Sequence, residues 1–306
     1  MRKRQYDSVM SAIQDVYGGQ TGEVHMQRVY GGDINDAYQV KLSNGETVFL
    51  KTNTFGRLHF FETEIDGLLA MRATKQIGVP KPLGFGTDQD KGISFLMLEF
   101  IHGTSRRETY WEHFGHQLAS MHKAECSQFV TGEDRDVKYG FLTDNYIGSN
   151  PQKNSLKSSW ISFYRDCRLA PQMNMAEGYF DPKMRKQCRY LLDHLDAYLR
   201  EPEDSSLLHG DLWSGNVICG NDGNAWILDP ASYVGDFETD LAMTQLFGSF
   251  PASFYAAYHE INPIEKDFFE RRDIYHLYHL LNHLNLFGRS YLGSVRDILN
   301  RYTTIK

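Results

Sequence analysis

The 306-residue chain has no run approaching the ~18 consecutive apolar residues that a membrane-spanning helix needs, so no membrane partner is expected. Its start, Met1-Arg-Lys-Arg4, is basic but passes into Gln5-Tyr-Asp-Ser8 without an apolar stretch, and so does not read as a secretory leader. Cysteine is scarce. Cys126, Cys167, Cys188 and Cys219 match neither a CxxC site nor the dense framework of a small secreted domain, so reduced thiols and a cytoplasmic setting are expected. Positive charge is in the minority, 32 Lys and Arg against 39 Asp and Glu, and the net −7 opposes a phosphate backbone, which excludes nucleic acid as a natural partner. Internal repeats and low-complexity tracts are absent. What remains is ordinary for a soluble globular chain, 41 % hydrophobic and 23 % charged, and long enough for two domains or one two-lobed domain.

The first hundred residues read as short strands around one helix. Val24–Tyr30, Ala37–Leu42 and Thr47–Thr52 are rich in β-branched and aromatic residues, and the Asn44-Gly45 turn between the last two predicts an antiparallel hairpin. Phe61, Ile65, Leu68 and Leu69 follow a helical period to about Ala73. A Gly/Pro-rich stretch over 78–86 reads as a connection before a last strand, Ile93–Ile101. Gly103 ends the sheet region, so the chain divides into a lobe of residues 1–103 and a larger one of 104–306. Helical periods then dominate, at Trp111–Met121, Met184–Leu199, 265–286 and 289–302. Between them, residues 205–230 carry short β-type pieces, and strands set into a helical lobe commonly bear a site.

That segment holds the most informative pattern. Leu208-His-Gly-Asp-Leu-Trp-Ser-Gly-Asn216 puts Asp211 and Asn216 five residues apart, the step of Asp and Asn in the kinase catalytic loop, with Gly210 in place of its Arg. The apolar strand Trp226-Ile-Leu-Asp229 then delivers an acid 13 residues after Asn216. Phosphoryl transfer from ATP demands this set: a base to orient the acceptor hydroxyl, here Asp211, and an amide and an acid, Asn216 and Asp229, to hold Mg2+ against the phosphates. A lone Asp in a turn is more often an Asx-turn residue; the ordered trio is what carries the reading. Lys51 ends an apolar strand, where it would bind the α- and β-phosphates. Glu62 and Glu64 both qualify as its partner, and helix-face geometry favours Glu64, because Glu62 shares a polar side with Asp66. Tyr30-Gly31-Gly32-Asp-Ile-Asn35 marks a turn that lets backbone N–H groups approach phosphate. Glu99-Phe-Ile101 is placed to meet adenine through its backbone.

These blocks resemble the fructosamine/ketosamine-3-kinases, in the aminoglycoside phosphotransferase-like branch of the protein-kinase-like fold. His209–Asn216 is similar to the family signature, with Trp213 separating it from related kinases. Asp229–Met243 is similar to a second block, Asn145–Gln152, Trp160, Phe163 and Arg168–Gln172 to a helical insert, and Leu281–Gly288 to the C-terminal part. The resemblance implies an α+β fold with a small antiparallel-sheet N-lobe and a larger mainly helical C-lobe. It implies ATP-dependent phosphorylation of the 3-hydroxyl of a ketosamine, a fructosamine or ribulosamine adduct of an amine, whose 3-phosphate breaks down in deglycation. It also implies Asp240 as a structural acid under the catalytic loop. A kinase for aminoglycosides or choline is the nearer alternative, opposed by Trp213 and the 145–172 insert. A catalytically silent nucleotide-binding module is the farther one, opposed by the joint presence of Lys51, Asp211, Asn216 and Asp229.

Weaker candidates remain. Trp213 either packs on a sugar face or under the loop. Arg168 and Gln172, four apart on a helix face, either touch sugar or phosphate or make ordinary surface contacts. Asp236 and Glu238 either attract a cationic amine or lie in solvent. His276, His279 and His283 share a helix face, but an adjacent leucine stripe makes them core rather than metal ligands. Nine acids and no Lys or Arg fall between 201 and 240, an acidic concentration where Mg2+ and a cationic amine are expected.

Overall fold

The computed structural model describes residues 3–18, 24–29, 34–131 and 136–303. A short strand, β1 (Gln5–Tyr6), leads into helix α1 (Val9–Tyr17), whose start is fixed by a capping box between Ser8 and Ser11. Strands β2 (Val24–Val29), β3 (Asp36–Leu42) and β4 (Thr47–Thr54) follow, with Gly45 at φ 90° turning β3 into β4. Helix α2 (Leu58–Thr74) then crosses to β5 (Pro82–Asp88) and β6 (Ile93–Glu99). These strands form one six-stranded sheet in the order β1-β5-β6-β4-β3-β2.

Every neighbour pair is antiparallel except β1 with β5, so the antiparallel sheet expected from the sequence gains a parallel edge. The glycines that made 78–86 read as a connection make this edge possible. A Cβ on Gly86 would lie 1.9 Å from the Tyr6 carbonyl oxygen, so only glycine admits β1 at that distance.

Beyond Gly103 come α3 (Tyr110–His122) and the hairpin β7 (Asn145–Ile147) and β8 (Asn150–Gln152). That hairpin stands where a helical insert was expected. The insert's second part is helical: α4 (Trp160–Tyr164), a π-helical turn over Arg165–Leu169 and α5 (Ala170–Met175) run on without a break. Helix α6 (Pro182–Asp193) starts on an Asp181 cap with proline at its first position. Strands β9 (Ser206–Leu208), β10 (Val217–Cys219), β11 (Ala225–Ile227) and β12 (Tyr233–Gly235) pair as β9 with β12 and β10 with β11. Helices α7 (Glu238–Leu246), α8 (Ala252–Ile261), α9 (Phe268–Phe287) and α10 (Leu292–Tyr302) complete the chain.

One apolar cluster runs from Phe61, Leu68, Phe85 and Leu96 through Phe114 and Leu118 to Leu281 and Leu299. A smaller one, including Ala12, Val40, Val48 and Phe95, fills the other face of the sheet beneath α1. All four cysteines are buried and unpaired. No helix among the described residues is long and apolar enough to cross a membrane.

Candidate functional site

A cleft of about 710 Å³ lies between the sheet and the helical part. Ala37, Phe49 and Leu98 line it from the sheet, Ile218 and Leu228 from β10 and the chain after β11, and Glu99 to Ile101 close one end. The apolar alternation of β4 that buries Val48 and Leu50 on one face turns Lys51 to the other, where it is 4 % exposed. Lys51 Nζ donates to Glu64 Oε1 and to Asp229 Oδ1, each at 2.6 Å. Burial works against the ammonium, but Asp229 and Glu64 outweigh it and hold the lysine pKa above its ordinary range. Of the two glutamates on α2, Glu64 is the one that meets Lys51; Glu62 faces outward beside His59. Asn35 also lines the cleft and accepts from Asn53 Nδ2 at 2.8 Å. Gly31 and Gly32 lie outside the described residues.

The loop after β9 is held from below. Asp240 accepts from the backbone N–H of His209 at 2.7 Å and of Gly210 at 2.9 Å, and from His122 Nε2 at 3.1 Å. Burial alone would raise its pKa; the His122 bond and the neighbouring donors lower it instead. His209 Nε2 donates to the Leu228 carbonyl at 2.7 Å while its Nδ1 accepts from Asp211 N at 3.2 Å, an arrangement that suits the neutral ring favoured by burial. Gly210 sits at φ +81°, and a Cβ there would fall 2.1 Å from the Ala231 carbonyl, which explains glycine at this position. Asn216 Nδ2 donates to the Asp211 carbonyl at 2.8 Å and to its Oδ2 at 3.3 Å. Its Oδ1 is thereby turned from Asp211. Asp229 holds φ 56°, a conformation rare for a side-chain-bearing residue and frequent at functional sites. Half of its side chain remains exposed to the cleft.

Lys51, Glu64, Glu99, Ile101, Asp211, Trp213, Asn216 and Asp229 therefore line one cavity with Asn35. Four weaker candidates do not. Asp236 and Glu238 are fully buried, correcting their assignment to substrate: Glu238 takes a paired contact from Arg271 at 2.8 and 2.6 Å, and Asp236 lies near Arg200 and accepts from Tyr275. Arg168 is buried too. Its guanidinium lies 3.8 Å from the Tyr233 ring centre and donates to Lys153 O and Asn154 Oδ1, so it braces the π-helical turn rather than reaching the cleft. Gln172, 2 % exposed, contacts Asn282 and Asn285 instead of open space.

The cleft wall also holds residues that sequence spacing left without a role. Asn145, Gly148 and Asn282 line one side; Phe247, His283, Phe287 and Tyr291 join Trp213 on another. The His283 ring packs against Phe247, Phe287 and Tyr291 at 4.5 to 5.4 Å between centres. The polar step Asn282, His283, Asn285 on α9 was the available signal, hidden by the leucines interleaved with it.

A family model described as fructosamine kinase matches residues 5–304. A protein of Synechocystis sp. assigned as a ketoamine kinase is 39 % identical over 289 residues, 92 % of either chain. The chloroplastic protein-ribulosamine 3-kinase of Oryza sativa subsp. indica is 41 % identical over 280 residues, 89 % of this chain and 77 % of the other. Among solved structures, a Haemophilus somnus protein assigned as a fructosamine-3-kinase superposes with a TM-score of 0.84 at 29 % identity, covering 96 % of both chains.

Proposed function

The chain belongs to the fructosamine kinase family, with its two-lobed α+β kinase-like fold, and from that premise we propose that it transfers the γ-phosphoryl group of ATP to the 3-hydroxyl of a ketosamine. One observation carries the reading of the site: the Lys51 ammonium bonded to both Glu64 and Asp229 in the cavity that also holds the Asp211–Asn216 pair. Adenine fits the apolar slot between Ala37 and Leu98 on one side and Ile218 and Leu228 on the other, with its edge toward the backbone of 99–101. Lys51 positions the phosphates, and Asn35 lines the same cavity.

Two hard oxygens, the Asp229 carboxylate and the Asn216 amide oxygen turned from Asp211, suit Mg2+, which favours one or two protein oxygens shared with phosphate. When bound there the ion supplies neutralisation of phosphate charge. Asp211 orients the acceptor hydroxyl and takes its proton on a carboxylate oxygen; Asp240 keeps the loop in place. Trp213 offers an indole face, 37 % exposed, to the sugar or its amine. The product 3-phosphate breaks down to release the amine. A cytosolic site of action is proposed with it, since four buried unpaired thiols suit a reducing compartment.

The test is ADP release with a panel of ketosamines differing in sugar and amine, with ³¹P NMR of the product. Phosphate on the 3-oxygen is expected; phosphate elsewhere, or no turnover of any ketosamine, overturns the assignment. Asp211→Ala should retain nucleotide binding while kcat falls by ~10³-fold or more, within the range for a positioned base.

A further inference from the structure

Asn282 on α9 is 2 % exposed and lines the cleft. Its Oδ1 accepts two hydrogen bonds, from Asn150 Nδ2 at 2.8 Å and from Gln172 Nε2 at 3.3 Å. Gln172 is fixed in turn, since Asn285 Nδ2 donates to its Oε1 at 2.7 Å and to its backbone carbonyl at 3.0 Å. Two donors converging on one oxygen decide which way the amide faces, because turning it over sets an NH2 against two NH2 groups and forfeits both bonds. The Nδ2 end is accordingly directed to the Gly148 side, 4.0 Å from where a Cβ on that glycine would lie, and Gly148 itself lines the cleft. The oriented donor thus belongs to the cavity that Asp211 also lines.

We propose that Asn282 is the specificity-determining residue for the sugar: its amide Nδ2 donates to an oxygen flanking the reacting 3-hydroxyl, with Gln172 and Asn150 as positioning residues that hold it in the donor orientation. The proposal rests on the ketosamine kinase reading above. It also gives Gln172 a part in recognition without contact with the substrate. A group that only donates selects an acceptor, a carbonyl or hydroxyl oxygen, and a site built to supply that bond discriminates strongly against molecules lacking the oxygen.

The test pairs variants with analogues. Asn282→Asp keeps an acceptor for Asn150 and Gln172 but replaces the donor with a second acceptor; Asn282→Ala removes the side chain; Gln172→Leu leaves Asn282 in place with one of its two orienting bonds gone. For a ketosamine that the wild type phosphorylates, kcat/KM should fall ~10–100-fold in Asn282→Asp and Asn282→Ala and by a smaller factor in Gln172→Leu, while the KM for ATP stays within twofold. Of two analogues lacking the oxygen at C2 or at C4, one should be turned over equally by wild type and Asn282→Ala. Wild-type kcat/KM in Asn282→Asp, an ATP KM that moves by the same factor, or equal sensitivity of both analogues to the mutation overturns the proposal. A wild type that turns over no ketosamine overturns the reading beneath it instead.

Discussion

Asp211 shows how one residue carries both chemistry and instability. Its carboxyl is pushed up to about 7, because burial outweighs the hydrogen bond from Asn216 and the charges of Asp229 and Asp240 add repulsion. As the proposed base it must be ionised, so kcat/KM for the acceptor should climb with pH and level off above about 7. The same shift costs stability. Between pH ~4 and ~7 the unfolded chain has released a proton that the folded chain still holds, so stability falls as pH rises through that window. Asp211→Asn keeps an acceptor for Asn216 and removes the buried charge; at pH 8 its Tm should exceed wild type by ~2–4 °C while turnover is lost. An equal or lower Tm would contradict the elevated pKa. Residues such as Asp211, Asn216 and Asp229 were legible because their chemistry lies within one short stretch of chain with fixed spacing. Asp236 and Glu238 were misread because Arg200 and Arg271, the cations that bury them, lie 36 and 33 residues away in sequence. Asn282 was illegible for a like reason, its meaning coming from Asn150 and Gln172 on other elements.

At the scale of elements, those with a clean period were legible near their true bounds. Helix α9, expected over 265–286, spans Phe268–Phe287, and β3 and β4 start within a residue of expectation. Helix α7 escaped notice because Thr239, Leu241, Met243 and both its acids are buried around the whole circumference, which leaves no polar face to set a period. Strand β5 escaped because its glycines serve a close approach rather than a turn. The seam of α3 and α8 shows how such packing supports the site. A Cβ on Gly115 would stand 2.4 Å from the Phe254 carbonyl oxygen and 3.0 Å from Tyr258 N. Alanine there gains ~1 kcal/mol of helix propensity but meets backbone that cannot rotate aside, at a cost of ~1–3 kcal/mol or more. Gly115→Ala should therefore lower Tm by ~2–6 °C. The seam also carries the contact of Tyr258 with His122 at 2.7 Å, and through His122 the support of Asp240. Parting the helices should thus lower kcat at 25 °C, well below the new Tm; unchanged kcat with the same loss of Tm would separate the seam from the catalytic loop.

Over the whole molecule, the acidic concentration between 201 and 240 dissolves into separate uses. Glu201 accepts from the N–H groups at the start of α4, Asp222 holds the Asn224 turn, Asp236 and Glu238 are paired with Arg200 and Arg271, and Asp240 is hydrogen-bonded by His122. Of these nine acids, Asp211 and Asp229 reach the cleft, so the region presents two carboxylates to a ligand rather than a broad negative field. The lobe boundary proposed near Gly103, where the sheet region ends, is likewise taken as one of shape rather than of stability. Helix α2 and the inner sheet face share a continuous apolar cluster with α3, α9 and α10, and Gly67 of α2 lies against Ser232 and Pro230 beside Asp229. The larger of the two apolar clusters is thus common to both lobes. Calorimetry should accordingly show one unfolding transition with matching calorimetric and van't Hoff enthalpies, and two resolved transitions would mean that the lobes fold apart. Because the cleft spans the junction, a nucleotide adds to the stability of the whole unit: ADP with Mg2+ at 100 times its Kd should contribute ~2.7 kcal/mol. In Asp229→Asn the increment that depends on Mg2+ should vanish while that of ADP alone persists, since Lys51 and the adenine slot remain. Loss of both increments would instead show that Asp229 holds the cleft open through Lys51, and retention of both would remove it as a ligand of the metal.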